Sequence, residues 1–296
     1  IGVAIQLVVL FVLSSGAHRE LYATRPAPRH LTLYYLVVSA GGGLGGAFVA
    51  LGAPLFFHGL WEYPLAALAL ALGMAYRNLA ALFASSRQLG VIAITLAFLG
   101  AIAWQLARAS DARGASVRTL ETRRSFYGLW SVLERPSPRG VPEHDLISGT
   151  TRHGRQLVDP QLRHEPLSYY ARSGPAGDVF GLTAERSASR RVGVVGLGVG
   201  AVAAYARAGE PFTFFEIDDA VVDLARRHFT YLEDSAGEVD VVVGDARISL
   251  TRLAAEASSP PFDLLMIGAF SGDAIPIHLG TREAVELYLS LVPSER

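Results

Sequence analysis

The sequence predicts a membrane α-helical region followed by an α/β unit, in which a small antiparallel β-hairpin region leads into a doubly wound, Rossmann-type sheet. Three observations carry this. Residues 31–57 contain no Asp, Glu, Lys or Arg, a longer apolar run than the roughly 20 residues needed to cross a bilayer. Residues 146–158 read as a hairpin, with Gly149 and Gly154 near its bends. A short apolar strand at 191–195 then runs into Gly196-Leu-Gly-Val-Gly-Ala201, a glycine turn of the kind that lets a backbone approach a ligand closely.

The elements follow in order. Residues 1–15 read as the remainder of one span, 31–57 as a second, and 88–107 as a third with Trp104 as an interfacial anchor. Residues 64–84 are interrupted by Arg77 and Asn78, so they fit a span, a re-entrant segment or an interfacial helix. A polar hinge covers 109–114. Residues 116–134 read as strand, and Pro136 to Gly140 as a turn, because Pro and Gly together end a strand. This gives a transmembrane region over 1–110, a small β part over 111–160 and a nucleoside-binding α/β domain over 161–296. The chain reads as a fragment, since it opens inside an apolar run and closes when four strands of the sheet have appeared. The sheet is therefore expected to be C-terminally incomplete.

Within the α/β part, strand 191–195 precedes Gly196, Gly198 and Gly200, and a helix is expected over 202–207. A second strand, 212–216, ends on Glu216, 20 positions after Gly196; an acid there can take both ribose hydroxyls of an adenosine. A third apolar strand leads to Asp245, where an adenine amino group lies in a methyltransferase-like sheet. The alternative is a tight structural turn with incidental acids.

Composition removes several chemistries. All 26 basic residues are Arg, which excludes a Walker-type lysine loop, Schiff-base lysines and lysine bases. The absence of Cys excludes disulfides, thiolate nucleophiles and Cys-based zinc sites, and no metal is expected. Residues 1–110 carry six Arg against Glu20 and Glu62, a net of +4, and the remainder a net of −5. Neither part has the basic excess of a nucleic-acid binder.

Several motifs together resemble the spermidine synthase-like group fused to multi-span membrane regions, the polyamine aminopropyltransferase family. They are Arg25-Pro-Ala-Pro-Arg-His30 before the Gly41–Gly46 run, Gly149-Thr-Thr-Arg-His-Gly-Arg-Gln156, Glu165-Pro166 with Tyr169 and Tyr170, the Gly196–Ala201 turn, Phe215-Glu216-Ile-Asp218, Gly244-Asp245-Ala-Arg247 and Ala269 to Leu279. The resemblance implies decarboxylated S-adenosylmethionine, or S-adenosylmethionine, as co-substrate and a small-molecule amine as acceptor. It implies Glu216 on the ribose, Asp245 on the adenine amino group, Gln156 on the nucleoside or substrate, and Tyr169 or Tyr170 in the amine pocket. In the family's prototype a diamine nitrogen attacks the carbon beside the sulfonium, so a carboxylate must accept the ammonium proton.

Two positions depart from the family. Val199 stands where an Asp usually holds the aminopropyl amine, and Gly268 where the fourth strand usually ends on the acid taken as base. Asp273 is the nearest remaining catalytic carboxylate, with a helix cap or turn as its other reading; Asp218 and Asp219 are expected to cap the helix after them. Besides aminopropyl transfer, S-adenosylmethionine-dependent methyl transfer and a non-catalytic nucleoside- or polyamine-sensing role remain open. A nicotinamide dehydrogenase fits Gly196, Gly198 and Ala201 but does not require Asp245. The expected setting is a plasma (inner) membrane, multi-pass, with the lipid bilayer as partner, no nucleic acid, and self-association into a homo-oligomer left open. Arg19, Arg25 and Arg29 favour a cytoplasmic first loop, and Arg108 to Arg124 a cytoplasmic α/β domain, so 64–84 is expected not to cross fully.

Overall fold

The structure, a computed structural model, describes residues 2–77, 100, 116–186, 189–256, 261–270 and 274–293. The chain divides into two compact units, Ile1–Ala115 and Ser116–Arg296.

In the first unit, α1 (Gly2–Ala23), α2 (Leu31–Ala47), α3 (Ala53–Phe56) and α4 (Glu62–Arg77) are helical. A π-helical turn at Phe48–Gly52 joins α2 to α3. Pro54, near the start of α3, lacks the N–H an unbroken α-helix would need there, and a π-turn is one way to absorb that loss. Leu13 of α1 packs with Ala67 and Leu70 of α4, and the Tyr34 hydroxyl donates to the Leu21 carbonyl at 2.6 Å. No residue of α2 is buried. The continuous stretch Pro28–Phe56 has 29 residues and a mean hydropathy of 1.7, long and apolar enough to cross a bilayer. It is the one such helix among the described residues, so the expected multi-span arrangement is not supported. The segment 88–107 lies almost wholly outside the described residues, as does the second part of 64–84, whose first part belongs to the 16-residue α4.

The second unit contains two four-stranded sheets. The first is an antiparallel meander, β1 (Arg118–Arg124), β2 (Leu129–Pro136), β3 (Pro142–Ser148) and β4 (Thr151–Leu157). The strand-like stretch 116–134 is thus two strands, broken where Ser125 donates its N–H to the Gly128 carbonyl. Gly149, at φ +59°, turns β3 into β4. The second sheet is parallel, with β5 (Val192–Val195), β6 (Pro211–Glu216), β7 (Glu238–Val243) and β8 (Leu264–Ile267) in the order β7-β6-β5-β8. Around it lie α5 (Pro175–Arg186), α6 (Asp219–His228), α7 (Ala246–Glu256) and α8 (Arg282–Ser290). Strand β5 is fully buried, which explains its unbroken apolar run.

Val132 and Leu146 of the meander share a core with Val199, Val221, Leu224 and Tyr231, so the first sheet packs against the glycine turn, α6 and the segment after it. The helix expected over 202–207 is instead a short 3-10 turn, Ala201–Tyr205. The reason is local. The Arg207 N–H donates to Glu210 Oε2 at 2.9 Å, and Glu210 also receives the buried Arg190 guanidinium at 2.8 Å, which fixes residues 207–210 as a loop.

Candidate functional site

Strand order reverses between β5 and β8, on opposite sides of which the chain continues in opposite directions. In open α/β sheets ligands bind outside the carboxyl ends of strands at such a point. A cavity of about 740 Å³ lies there, walled by the ends of the parallel strands and by the meander.

The glycine turn forms its floor. Gly196 and Gly198 line the cavity and have φ of +93° and +55°, values that side chains rarely tolerate. A Cβ on Gly198 would also stand 2.7 Å from the His153 carbonyl oxygen. Gly200 shares the left-handed conformation at +79° but faces Leu232, so its part is to shape the turn.

Glu216 ends β6 and lines the cavity. Its Oε2 accepts the Leu197 N–H at 2.9 Å and its Oε1 the Asp218 N–H at 3.0 Å. Burial raises its pKa above the ordinary value, partly countered by those two backbone donors. Asp245 also lines the cavity; its Oδ1 accepts the Ile248 N–H at 3.1 Å, capping α7, while its Oδ2 lies 3.2 Å from His278 Nε2. Tyr170 and the exposed Tyr169 line it as well. Only Tyr170 is wedged between the two core clusters. A Cβ placed on Gly268 would meet its hydroxyl oxygen at 3.2 Å.

Of the other expected residues, Asp218 lines the cavity and Gln156 and Val199 do not. Gln156 does not line the cavity: it is buried, and its amide donates to the Arg163 carbonyl and Thr230 Oγ1 and accepts the Thr230 N–H, each at 2.9 Å. It holds β4 to the segment after α6. Val199 is buried in the shared core and fits against Gly154, where an added Cβ would come within 2.5 Å of its Cγ2. Asp273 lies outside the described residues. Asp218 caps α6, its Oδ1 accepting the Ala220 N–H at 3.0 Å. Its Oδ2 receives Trp130 Nε1 at 2.7 Å and the Ser125 hydroxyl. Asp219 is the first residue of α6.

The meander contributes wall residues to which the sequence analysis gave no site role: Trp130, and Arg152 and His153 of the quoted hairpin motif. His153 stands edge-on to Trp130, ring centroids 4.8 Å apart, and burial lowers its pKa. Their signal in the sequence was weak, because a hairpin side chain reveals its ligand-facing role only once the hairpin is docked.

A parallel sheet with this order, a left-handed glycine turn after its central strand and an acid ending the next defines a Rossmann-like α/β domain of the methyltransferase type. Over 145 residues the chain is 33% identical to a polyamine aminopropyltransferase of Vibrio vulnificus, covering 46% of this chain and 45% of that protein. Homology with the polyamine aminopropyltransferases is thus supported at low identity, and the match spans less than half the length of the curated relative. A solved structure described as a probable spermidine synthase from Corynebacterium glutamicum is similar with a TM-score of 0.45 and 17% identity, over 60% of each chain. No family model matches the chain.

Proposed function

We propose that the second unit binds an adenosyl sulfonium compound and transfers its aminopropyl group, from decarboxylated S-adenosylmethionine, to an amine. The observation that carries this is the placement of Glu216 and Asp245 around one cavity at the reversal of strand order, in a chain with sequence similarity to a polyamine aminopropyltransferase. Glu216 has two oxygens already oriented by backbone N–H groups, and their remaining lone pairs suit the two ribose hydroxyls. Asp245 takes the adenine amino group, sharing its carboxylate with the cap of α7. Tyr170, with Tyr169 at the rim, borders the amine. The amine nitrogen forms a bond to the carbon beside the sulfonium, the carbon–sulfur bond breaks, methylthioadenosine leaves, and the ammonium proton passes to a base. Asp273 is the carboxylate this reading assigns as that base. Holding the two reactants in line supplies most of the remaining acceleration. Attachment to the inner membrane through Pro28–Phe56, with the second unit in the cytoplasm, places the site beside a cytosolic co-substrate.

A second reading is favoured by one feature. Val199, buried against Gly154, supplies no carboxylate for the aminopropyl amine, and methyl transfer from S-adenosylmethionine does not need one there.

The test is calorimetry and product analysis on the purified chain. Methylthioadenosine should bind, and decarboxylated S-adenosylmethionine with an amine should yield methylthioadenosine and an aminopropylated product. Glu216→Ala should abolish measurable binding, since two hydrogen bonds to a charged acceptor are worth roughly 1.5–3 kcal/mol each. Unchanged affinity in that variant would remove the site assignment, and formation of S-adenosylhomocysteine instead would install the methyl-transfer reading.

A further inference from the structure

We infer that this cavity selects a ligand bearing a carboxylate, held by the terminal nitrogens of Arg152. The inference rests on the adenosyl-binding reading above. A pocket for a simple diamine must hold two cationic ends and therefore needs acids. Two positions where the resemblance leads one to expect an acid carry none: Val199 is buried in the apolar core, and Gly268 has no side chain beneath the Tyr170 hydroxyl. The same cavity wall gains a cation instead. Arg152, on β4, lines it and is one-third exposed.

The way Arg152 is held leaves its binding end available. Its Nε faces Asp145 Oδ1 at 3.2 Å. Asp145 is fully buried and also meets Arg135 Nε at 2.6 Å. Neighbouring Arg155 reaches Glu143 at 3.5 Å. Three guanidinium groups thus share two carboxylates, and among the described residues the terminal nitrogens of Arg152 have no partner. A guanidinium ion-paired on its Nε side keeps a planar pair of terminal N–H donors that matches a carboxylate, whereas it repels an ammonium.

A carboxylate can arrive from either reactant. Intact S-adenosylmethionine keeps the one its decarboxylated form lacks, and an amino-acid amine brings one that a diamine lacks. Two arms of one calorimetric experiment separate these sources. The donor arm compares S-adenosylmethionine with its decarboxylated form. The acceptor arm adds ornithine or putrescine to protein saturated with methylthioadenosine. The expected result is a preference of roughly 10- to 150-fold for the carboxylated ligand in one arm, the range of a charged hydrogen bond. Arg152→Gln should erase that preference while leaving methylthioadenosine affinity within about twofold, and Arg152→Lys should restore part of it.

A gain in the donor arm assigns the carboxylate to the sulfonium compound and shifts the chemistry toward S-adenosylmethionine-dependent transfer. A gain in the acceptor arm keeps aminopropyl transfer and makes the acceptor an amino acid. If methylthioadenosine binds yet neither arm shows a preference, the carboxylate inference falls and the adenosyl site stands. If methylthioadenosine does not bind, both fall. The wild-type comparison decides the matter even where the Gln variant fails to fold; a variant that folds and keeps the full preference also overturns the inference.

Discussion

Gly268 is where chemistry and backbone can be separated. Its φ is not in the left-handed region, unlike those of Gly196, Gly198 and Gly200, so the backbone does not demand glycine there. Among the described residues, the close neighbours of an added Cβ are the Tyr170 hydroxyl at 3.2 Å and the Val195 carbonyl at 3.5 Å, so Tyr170 has to yield by a few tenths of an ångström. Gly268→Asp is therefore expected to fold, to keep methylthioadenosine affinity, and to raise aminopropyl transfer to diamines by about tenfold or more, because a positioned base is typically worth 10²- to 10⁴-fold. Measured turnover and calorimetry on the variant check this. A stable Gly268→Asp protein that binds the nucleoside but transfers nothing to any diamine would count against aminopropyl transfer. Glycine at this strand end was visible in the sequence; the tyrosine above it was not, because residue 170 reaches it across nearly a hundred positions. Similarly, Val199 read as a departure from a family pattern, while the residue it fits against, Gly154, lies in the meander.

The strands themselves were easier to read than the segments between them. Val192–Val195 and Pro211–Glu216 coincide closely with the apolar runs that announced them, since burial on both faces of a parallel sheet demands such runs. The helix after the glycine turn did not form, because Glu210 draws Arg190 and Arg207 together and ends the turn early. That cluster has a measurable signature. Burial pushes the Glu210 carboxyl up, but the hydrogen bonds from Arg190 and Arg207 win and lower its pKa from 4.5 to about 2. A depressed acid stabilises the fold above the unfolded pKa and loses that contribution as pH falls through the folded one. Urea midpoints should accordingly decline between about pH 5 and pH 2 in the native chain. Glu210→Gln should cost about 3–5 kcal/mol at neutral pH, the penalty for leaving a buried charge unpaired, and should flatten that part of the decline. A variant as stable as the native chain at pH 7 would show that Arg190 finds other partners, such as the Phe180 carbonyl it already contacts at 2.9 Å.

The two units differ in composition, and the first holds a long apolar, uncharged stretch. The apolar, uncharged stretch was evident from its residues alone, but the number of crossings was not, because hydropathy does not distinguish a span from a helix that packs within its own unit. Pro28–Phe56 is only 6% buried over its most apolar window, and Leu44 and Leu55 are 73% and 81% exposed. Such surface is costly in water, at about 25 cal/mol for each Å² left uncovered. A helix of 29 residues extends roughly 43 Å, more than the ~30 Å hydrocarbon core, so a tilted crossing is accommodated. The second unit, by contrast, has cores of its own around β5 and β6 and under α7 and α8. The whole chain is therefore expected to stay in the membrane pellet after alkaline carbonate extraction, and Leu36→Arg combined with Leu44→Arg should release it, since each central arginine costs about 2.5–3.5 kcal/mol in a crossing helix. A reporter joined after Arg113 should be active on the cytoplasmic side. Recovery of the native chain in the soluble fraction at its full length would remove the anchor, and recovery shortened from its N-terminus would make Pro28–Phe56 a cleaved leader. Reporter activity confined to the outside would separate the site from cytosolic adenosyl compounds and turn the proposed enzyme toward sensing.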